Sequence, residues 1–395
     1  MSTQPLRIGL FGFGVVGQGL YHVLTQTDGL QAEVVRICVK DTAKQRPIAS
    51  DVITYNGDEI LLDPSINVVV ELINDSDFAF DIVCRAMRQG KAVVSANKKL
   101  IATRLPELLA LQHETGVPFL YEASTGGSIP IIRNLEEYYD TDHLHRIEGI
   151  VNGTTNYILS SLQASTSSSY QDALSQAQAL GFAESDPTSD TEGFDAAYKT
   201  TILATHGFGV VAHPSDVVRR GISAIRGFDV DVAQRHWSSI KLVSRIVRSG
   251  NSVSLVTLPA FVSRKSHLAH VSGANNAIAL TTDFADVQCL FGKGAGSRPT
   301  ASAVLSDLSL IRDKYRYAYR RLRRSSGLTL DQRVTVSVYV RASDEQLEAL
   351  PFLSVQTDHR GVEGRYIIGS MRLDELQQST AYADRDAFVA LYLED

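Results

Sequence analysis

The feature that most narrows the fold lies near the start of the chain. Leu6 to Phe11 (LRIGLF) is a short apolar run of strand character, followed at once by Gly12-Phe13-Gly14-Val15-Val16-Gly17 and the helix-like GQGLYHVLTQT. Strand, glycine turn and helix in that order predict the first unit of a doubly wound α/β sheet. Gly12 permits a tight turn, Gly14 lets backbone approach a pyrophosphate, and Gly17 lets the helix pack closely on the strand. The amino end of the helix then offers N–H groups and the positive end of a dipole to phosphate. The spacing predicts a dinucleotide site on Gly12, Phe13, Gly14, Val15, Val16 and Gly17, against the alternative of a glycine turn that serves packing alone.

Further strands follow at the spacing of βα units. Glu33 to Val39 ends in Val39-Lys40-Asp41, where a residue that reads the ribose is usual. Lys40 can pair with the 2′-phosphate of NADP and Asp41 can accept from the free 2′-OH of NAD; Lys40 as a plain solvated residue is the third reading. Asn67 to Ile73 runs into Asn74-Asp75-Ser76-Asp77, and Lys91 to Ser95 into Ala96-Asn97-Lys98-Lys99. Ligands of open parallel sheets collect at strand carboxyl ends, so Lys98 stands where a nicotinamide or a substrate carbonyl is expected, while Lys99 could as easily be a surface lysine.

Length and charge bound the partners. At 395 residues the chain has room for two or three domains, and its 38 Lys+Arg against 44 Asp+Glu oppose attraction to nucleic acid or anionic lipid. Three cysteines without CxxC spacing argue against a disulfide frame or a structural zinc, and fit a reducing cytoplasm. No apolar run approaches the ~20 residues of a membrane span, and no leader-like segment precedes the first strand. The expectation is a soluble cytoplasmic protein without membrane or nucleic-acid partners. The stretch 312–324 (RDKYRYAYRRLRR) mixes aromatics with basic residues, and is read as an amphipathic helix with a solvated basic face.

Three further segments carry polar chemistry. Tyr121 to Pro130 (YEASTGGSIP) stops a strand in small residues, leaving backbone carbonyls for a hard cation or a substrate, or forming a solvated turn. Ile150 to Tyr157 (IVNGTTNY) is a second small, polar stretch. The densest constellation is LGFAESDPTSDTEGFDAAYK, residues 180–199, rich in acids between Glu184 and Asp195. Helix character from Asp195 onward puts Asp195 and Lys199 at i and i+4 on one face. Exposed, such a pair only supports a helix, by about 0.3–0.5 kcal/mol. Enclosed, the carboxylate orients an ammonium that can give a proton to a carbonyl oxygen as hydride arrives, and Glu184 can accept from a substrate ammonium or hydroxyl. An amino-acid substrate follows from that arrangement.

In ordered combination, GFGVVG, VVVELI, SANKKLIA, YEASTGGSIP, GIVNGTTNYIL, LGFAESDP, GFDAAYK and GKGAGSRPTASAV resemble homoserine dehydrogenase, over roughly residues 5 to 325. The resemblance implies NAD(P)H-dependent, reversible reduction of L-aspartate 4-semialdehyde to L-homoserine, a step toward threonine, methionine and isoleucine. It implies Lys199 as proton donor with Asp195 and Lys98 assisting, Glu184 as substrate ligand, and a sodium ion on the backbone of Glu122, Thr125, Gly127 and Ile129. It tilts Lys40 toward NADP, since the family commonly has an arginine there, and it implies a homodimer or larger homo-oligomer. The expected architecture is α/β, with a Rossmann-type nucleotide-binding domain over 1–130, an inserted α+β catalytic and dimerisation domain over 131–291, and a return segment over 292–326. Residues 327–395 are read as a small α+β appendage of ACT-like size that lacks the usual Pro-Gly turn.

One departure stands out. Where the family usually has a glycine pair after VVVELI, this chain has Asn74-Asp75, and acids beside a dianionic ligand would repel it. Two other readings remain: a binding or sensor protein that holds NAD(P) without turnover, and a dehydrogenase of another amino-acid semialdehyde or oxo acid.

Overall fold

The computed structural model describes residues 5–27, 29–164, 169–324 and 327–394. The chain divides into two compact units: Met1–Asp140 with Lys293–Arg320, and Thr141–Gly292 with Arg321–Asp395.

The first unit is built on six strands, β1 (Leu6–Phe11), β2 (Ala32–Cys38), β3 (Ile53–Thr54), β4 (Val68–Glu71), β5 (Ala92–Ser95) and β6 (Phe119–Leu120). They pair in the order β3-β2-β1-β4-β5-β6, each pair parallel. That 3-2-1-4-5-6 order is the Rossmann arrangement, and it bears out the α/β expectation. Buried on both faces, β4 (VVVE) and β5 (AVVS) are continuous rather than alternating in pattern. The order reverses between β1 and β4, which puts a ligand crevice at the carboxyl ends of those two strands. Late residues complete the unit. The helix Ser297–Arg312 packs on the helix Val15–Thr25, where Ser297 Oγ donates to the Val15 carbonyl at 2.9 Å.

The stretch 312–324 is not one helix. The Ser297–Arg312 helix stops, an irregular link carries Lys314 and Tyr319 at φ of 58° and 47°, and helix resumes only at Arg320–Arg324. Packing overrides the helical pattern here. Tyr317 and Tyr319 are buried, and the Tyr319 hydroxyl lies 2.9 Å from that of Tyr121.

The second unit holds a sheet of β7 (Leu144–Ile150), β8 (Val218–Arg219), β9 (Ser238–Ser249), β10 (Ser252–Ser263), β11 (Asn275–Thr282), β12 (Val287–Lys293), β13 (Thr329–Leu330), β14 (Thr335–Arg341), β15 (Ser354–Gly361), β16 (Gly364–Arg372) and β17 (Phe388–Leu393). The path runs β12-β11-β7-β9-β10-β17-β14-β16-β15, with β8 and β13 also on β10. β9 and β10 form a twelve-residue antiparallel ladder that is the spine of the sheet. From β14 to β17 the chain follows β-α-β-β-α-β order with helices Asp344–Glu348 and Leu373–Gln378, a ferredoxin-like module whose last strand is parallel to β10. By composition DRDAFVALYLED resembles a helix, yet Phe388–Leu393 is a strand buried between β10 and β14. A continuous apolar run does not distinguish a buried strand from a buried helix, and its sheet neighbours decide. Among the described residues no helix is long and apolar enough to cross a membrane.

Candidate functional site

In the first unit the glycine turn has the geometry its chemistry requires. Gly12 has φ of +94°, and a Cβ there would stand 2.7 Å from the Leu72 carbonyl oxygen; one on Gly17 would stand 2.4 Å from that of Gly12. Around Gly14 a Cβ would meet nothing within 4 Å, which leaves backbone open to an incoming group. Gly14 is also the N-cap of the Val15–Thr25 helix and supplies no side-chain cap. A phosphate bound there would receive the N–H groups of the first turn. Phe13 is buried edge-on to Tyr21 at 5.9 Å, Val16 is half-buried and Val15 exposed.

The residues beyond β2 and β4 sort themselves out. Asp41 accepts from the N–H groups of Ala43 and Lys44 at 2.9 and 3.2 Å, so its carboxylate serves a local turn, while Lys40 is exposed just past β2. Asp75 is the N-cap of the helix Ser76–Arg88, accepting from Asp77 and Phe78 N–H at 3.1 and 3.0 Å, and Asp77 lies 3.5 Å from Arg104. The acids that looked repulsive have structural work within the unit.

Lys98 opens the helix Lys98–Thr115 immediately past β5 and is half-buried. A cation at a helix amino end opposes the dipole, so local stability does not favour a lysine there. Its turn is held by a group the sequence reading did not single out. Glu71, at the carboxyl end of β4, is fully buried, accepting from Ser95 Oγ at 2.6 Å and Ile73 N–H at 2.7 Å. Ser95 Oγ in turn accepts from Asn97 N–H at 3.1 Å, and the Asn97 side chain caps the helix through Leu100 N–H at 3.0 Å. Burial pushes the Glu71 carboxyl up to about 7.

The loop after β6 is buried. Glu122 directs its carboxylate to the N–H groups of Ile132 and Arg133, both at 2.8 Å, and its own N–H donates to Asp307 at 3.0 Å. A cation on this loop would therefore meet carbonyl oxygens rather than that carboxylate, a donor set that suits a hard ion. Gly127, at φ of +58°, packs where a Cβ would stand 2.5 Å from the carbonyl oxygens of Lys293 and Gly294. Thr125 and Ile129 are buried nearby in the chain.

The second unit assembles a buried ion pair. The helix Phe194–Phe208 carries Asp195 and Lys199 one turn apart, with Asp195 Oδ2 2.8 Å from Lys199 Nζ and side chains 4% and 8% exposed. Lys199 Nζ also donates to the Val151 carbonyl at 2.6 Å. Asn152, at the turn from β7 into the helix Gly153–Ala164, donates from Nδ2 to Asp190 at 2.7 Å and to Asp195 at 2.9 Å. Its Oδ1 accepts from Thr155 N–H at 2.8 Å, which locks the amide orientation. Two carboxylates and an ammonium are thus arranged around one buried amide. Neither Asn152 nor Asp190 stands out in the sequence: the first is a polar residue at a strand's carboxyl end, the second one acid among several. Glu184 is exposed in the turn after the helix Tyr170–Ala179, where its carbonyl accepts from Gln178 at 3.0 Å.

Known proteins resemble this chain in sequence and in fold. Residues 130–309 match the family described as homoserine dehydrogenase, and residues 12–122 match its NAD binding domain. The homoserine dehydrogenase of Bacillus subtilis (strain 168) is 36% identical over 317 residues, 78% of this chain and 73% of that protein. The crystal structure of a homoserine dehydrogenase from Thiobacillus denitrificans superposes with a TM-score of 0.88 at 30% identity, covering 99% of each chain. A hyperthermophilic archaeal homoserine dehydrogenase mutant in complex with NADPH gives 0.69 at 26% identity, over 80% of this chain and all of that one. An open glycine turn in a Rossmann sheet, a buried Asp–Lys pair in a second unit and these matches together show that the chain belongs to the homoserine dehydrogenase family of NAD(P)-dependent oxidoreductases.

Proposed function

We propose that Lys199 is the proton donor for reduction of L-aspartate 4-semialdehyde to L-homoserine, and that Asp195, Asn152 and Asp190 hold it in place. The observation that carries this reading is the enclosed Asp195–Lys199 pair. When bound, NAD(P)H supplies hydride to the aldehyde carbon. Lys199 gives a proton to the oxygen that becomes the hydroxyl, and in the reverse direction its amine takes that proton back. The carbonyl of Val151 and the carboxylate of Asp195 fix the ammonium from two sides. Glu184 is assigned to the substrate ammonium, and Lys98 to assistance at the reacting centre.

Gly12 to Gly17 are the proposed phosphate cradle, with Lys40 toward the 2′-phosphate of NADP. Asp75 is engaged as a helix cap and Asp41 in a local turn, which supports NADP over NAD. The carbonyls of Glu122, Thr125, Gly127 and Ile129 are the proposed ligands of a sodium ion, whose contribution would be to order this loop. The reading extends to a cytoplasmic homodimer or larger homo-oligomer serving threonine, methionine and isoleucine synthesis, and to residues 327–395 as an ACT-like module. The test is the absorbance of NADPH and of NADH mixed with enzyme and aspartate semialdehyde. Turnover with a preference for NADPH supports the proposal, and no turnover with either removes it.

A further inference from the structure

The carboxyl-terminal module reaches the start of the catalytic helix through two adjacent arginines. Arg220 is half-buried and its guanidinium donates to three carbonyls of one short segment: Tyr382, Asp384 at 2.6 Å and Ala387 at 2.7 Å. The Tyr382 hydroxyl returns a bond of 2.7 Å to the carbonyl of Arg219. On the far side, the Arg219 guanidinium donates to the Glu192 carbonyl and lies 3.5 Å from the centre of the Phe194 ring. Glu192 and Phe194 flank Gly193, the N-cap of the helix that carries Asp195 and Lys199.

The same turn is pinned at further points. Ile222 N–H donates to the Thr191 carbonyl at 2.8 Å, and Ser223 Oγ to the Glu192 carboxylate at 2.7 Å. Val218 and Arg219 form β8, which pairs with Val256 and Thr257 of β10, and Thr257 Oγ1 lies 3.0 Å from that of Thr200, the neighbour of Lys199. Burial works against charge on both arginines, so packing alone would favour apolar residues at these positions. What a planar guanidinium supplies instead is several directed bonds at once, together with a stacking face.

We propose that Arg219 and Arg220 are positioning residues: gripped by the Tyr382–Ala387 segment, they fix the Glu192–Phe194 turn and through it the Asp195–Lys199 pair. The carboxyl-terminal module is then part of the machinery that sets the proton donor. This rests on the assignment of Lys199 made above for its effect on turnover, whereas the positional claim is readable without turnover.

The experiment compares Arg219→Ala, Arg219→Lys and Tyr382→Phe with the parent enzyme in the full chain. Steady-state kinetics are measured with NADPH and aspartate semialdehyde, and the rate of Lys199 acetylation by acetic anhydride is followed by mass spectrometry. Folding is checked by circular dichroism. Arg219→Ala is expected to lower kcat about tenfold and Tyr382→Phe about threefold, with KM for NADPH within about twofold of the parent. Acetylation of Lys199 is expected to rise several-fold in both, and Arg219→Lys to recover only part of the loss because an ammonium has no stacking plane. Unchanged Lys199 labelling in folded variants overturns the proposal, as does a kcat loss matched by an equal loss of folded protein. If Arg219→Ala does not fold, Tyr382→Phe, which removes one hydroxyl, decides. If the parent enzyme shows no turnover, the assigned reaction fails and the labelling still tests the relay.

Discussion

Asp195 Oδ2 lies 2.8 Å from Lys199 Nζ, across one turn of helix and almost wholly out of solvent. Taking two charges out of water costs several kcal/mol per ion, and their attraction returns that only with good geometry and further hydrogen bonds, which Asn152 and the Val151 carbonyl provide here. Such a pair is weak as a stabilising device and well suited to holding a proton donor. Asp195→Asn keeps the shape and removes the counter-charge. It is expected to lower kcat by about 10²-fold or more while leaving KM for the nucleotide unchanged, measured by initial rates at saturating NADPH.

Asn152 combines two duties that substitution can separate. Its Oδ1 caps the Gly153–Ala164 helix through Thr155, and its Nδ2 serves Asp190 and Asp195. Asn152→Ala loses both, with an expected stability loss of about 1–2 kcal/mol and a large fall in kcat. Asn152→Asp retains the cap but brings a third carboxylate to the cluster. It is expected to lower kcat as far as the alanine does, with chemical denaturation showing that the helix cap itself survives.

Glu71 predicts a pH dependence of stability. Burial pushes its carboxyl from 4.5 up to about 7, so between those values the folded chain holds a proton that the unfolded chain has released. Its contribution is fully present below 4.5 and is lost as pH rises through 7. Glu71→Gln reproduces the protonated form, and is expected to flatten this slope and to gain on the order of 1–3 kcal/mol at pH 8 relative to the parent. Urea unfolding across pH 4.5–8 measures it.

Lys241 predicts a slope of opposite sign in the alkaline range. Buried on β9, it donates to the Val271 carbonyl at 2.6 Å and to Asn156 Oδ1 at 3.3 Å, and burial lowers its pKa from 10.5 to about 8. Between 8 and 10.5 the unfolded chain binds a proton that the folded chain does not. Stability contributed through this group therefore rises with pH across that window. Lys241→Met is expected to abolish the rise, read as the thermal midpoint at pH 8, 9 and 10.

The parts of the fold and site that were legible in the sequence are those written locally. The Gly12–Gly17 turn is contiguous, and Asp195 and Lys199 are four residues apart on one helix, so spacing alone places each set. Asn152 reaches Asp195 only through the packing of β7 against the Phe194–Phe208 helix, and no local pattern announces that contact. Asp75 looked like a repulsive neighbour of a phosphate because its charge is visible in the sequence, whereas its bonds to Asp77 and Phe78 N–H are visible only in three dimensions. Phe388–Leu393 reads as helix or strand by composition, and pairing with β10 and β14 makes it strand. The stretch 312–324 reads as one amphipathic helix, but burial of Tyr317 and Tyr319 against Tyr121 draws it into an irregular link.

The central claim is that Lys199 delivers the proton, and the most direct measurement is kcat of Lys199→Ala against the parent enzyme with aspartate semialdehyde and NADPH at saturation. The account predicts a loss of about 10²-fold or more in kcat, with nucleotide binding intact by fluorescence titration of NADPH. A folded Lys199→Ala enzyme that turns over at a rate comparable to the parent would contradict it.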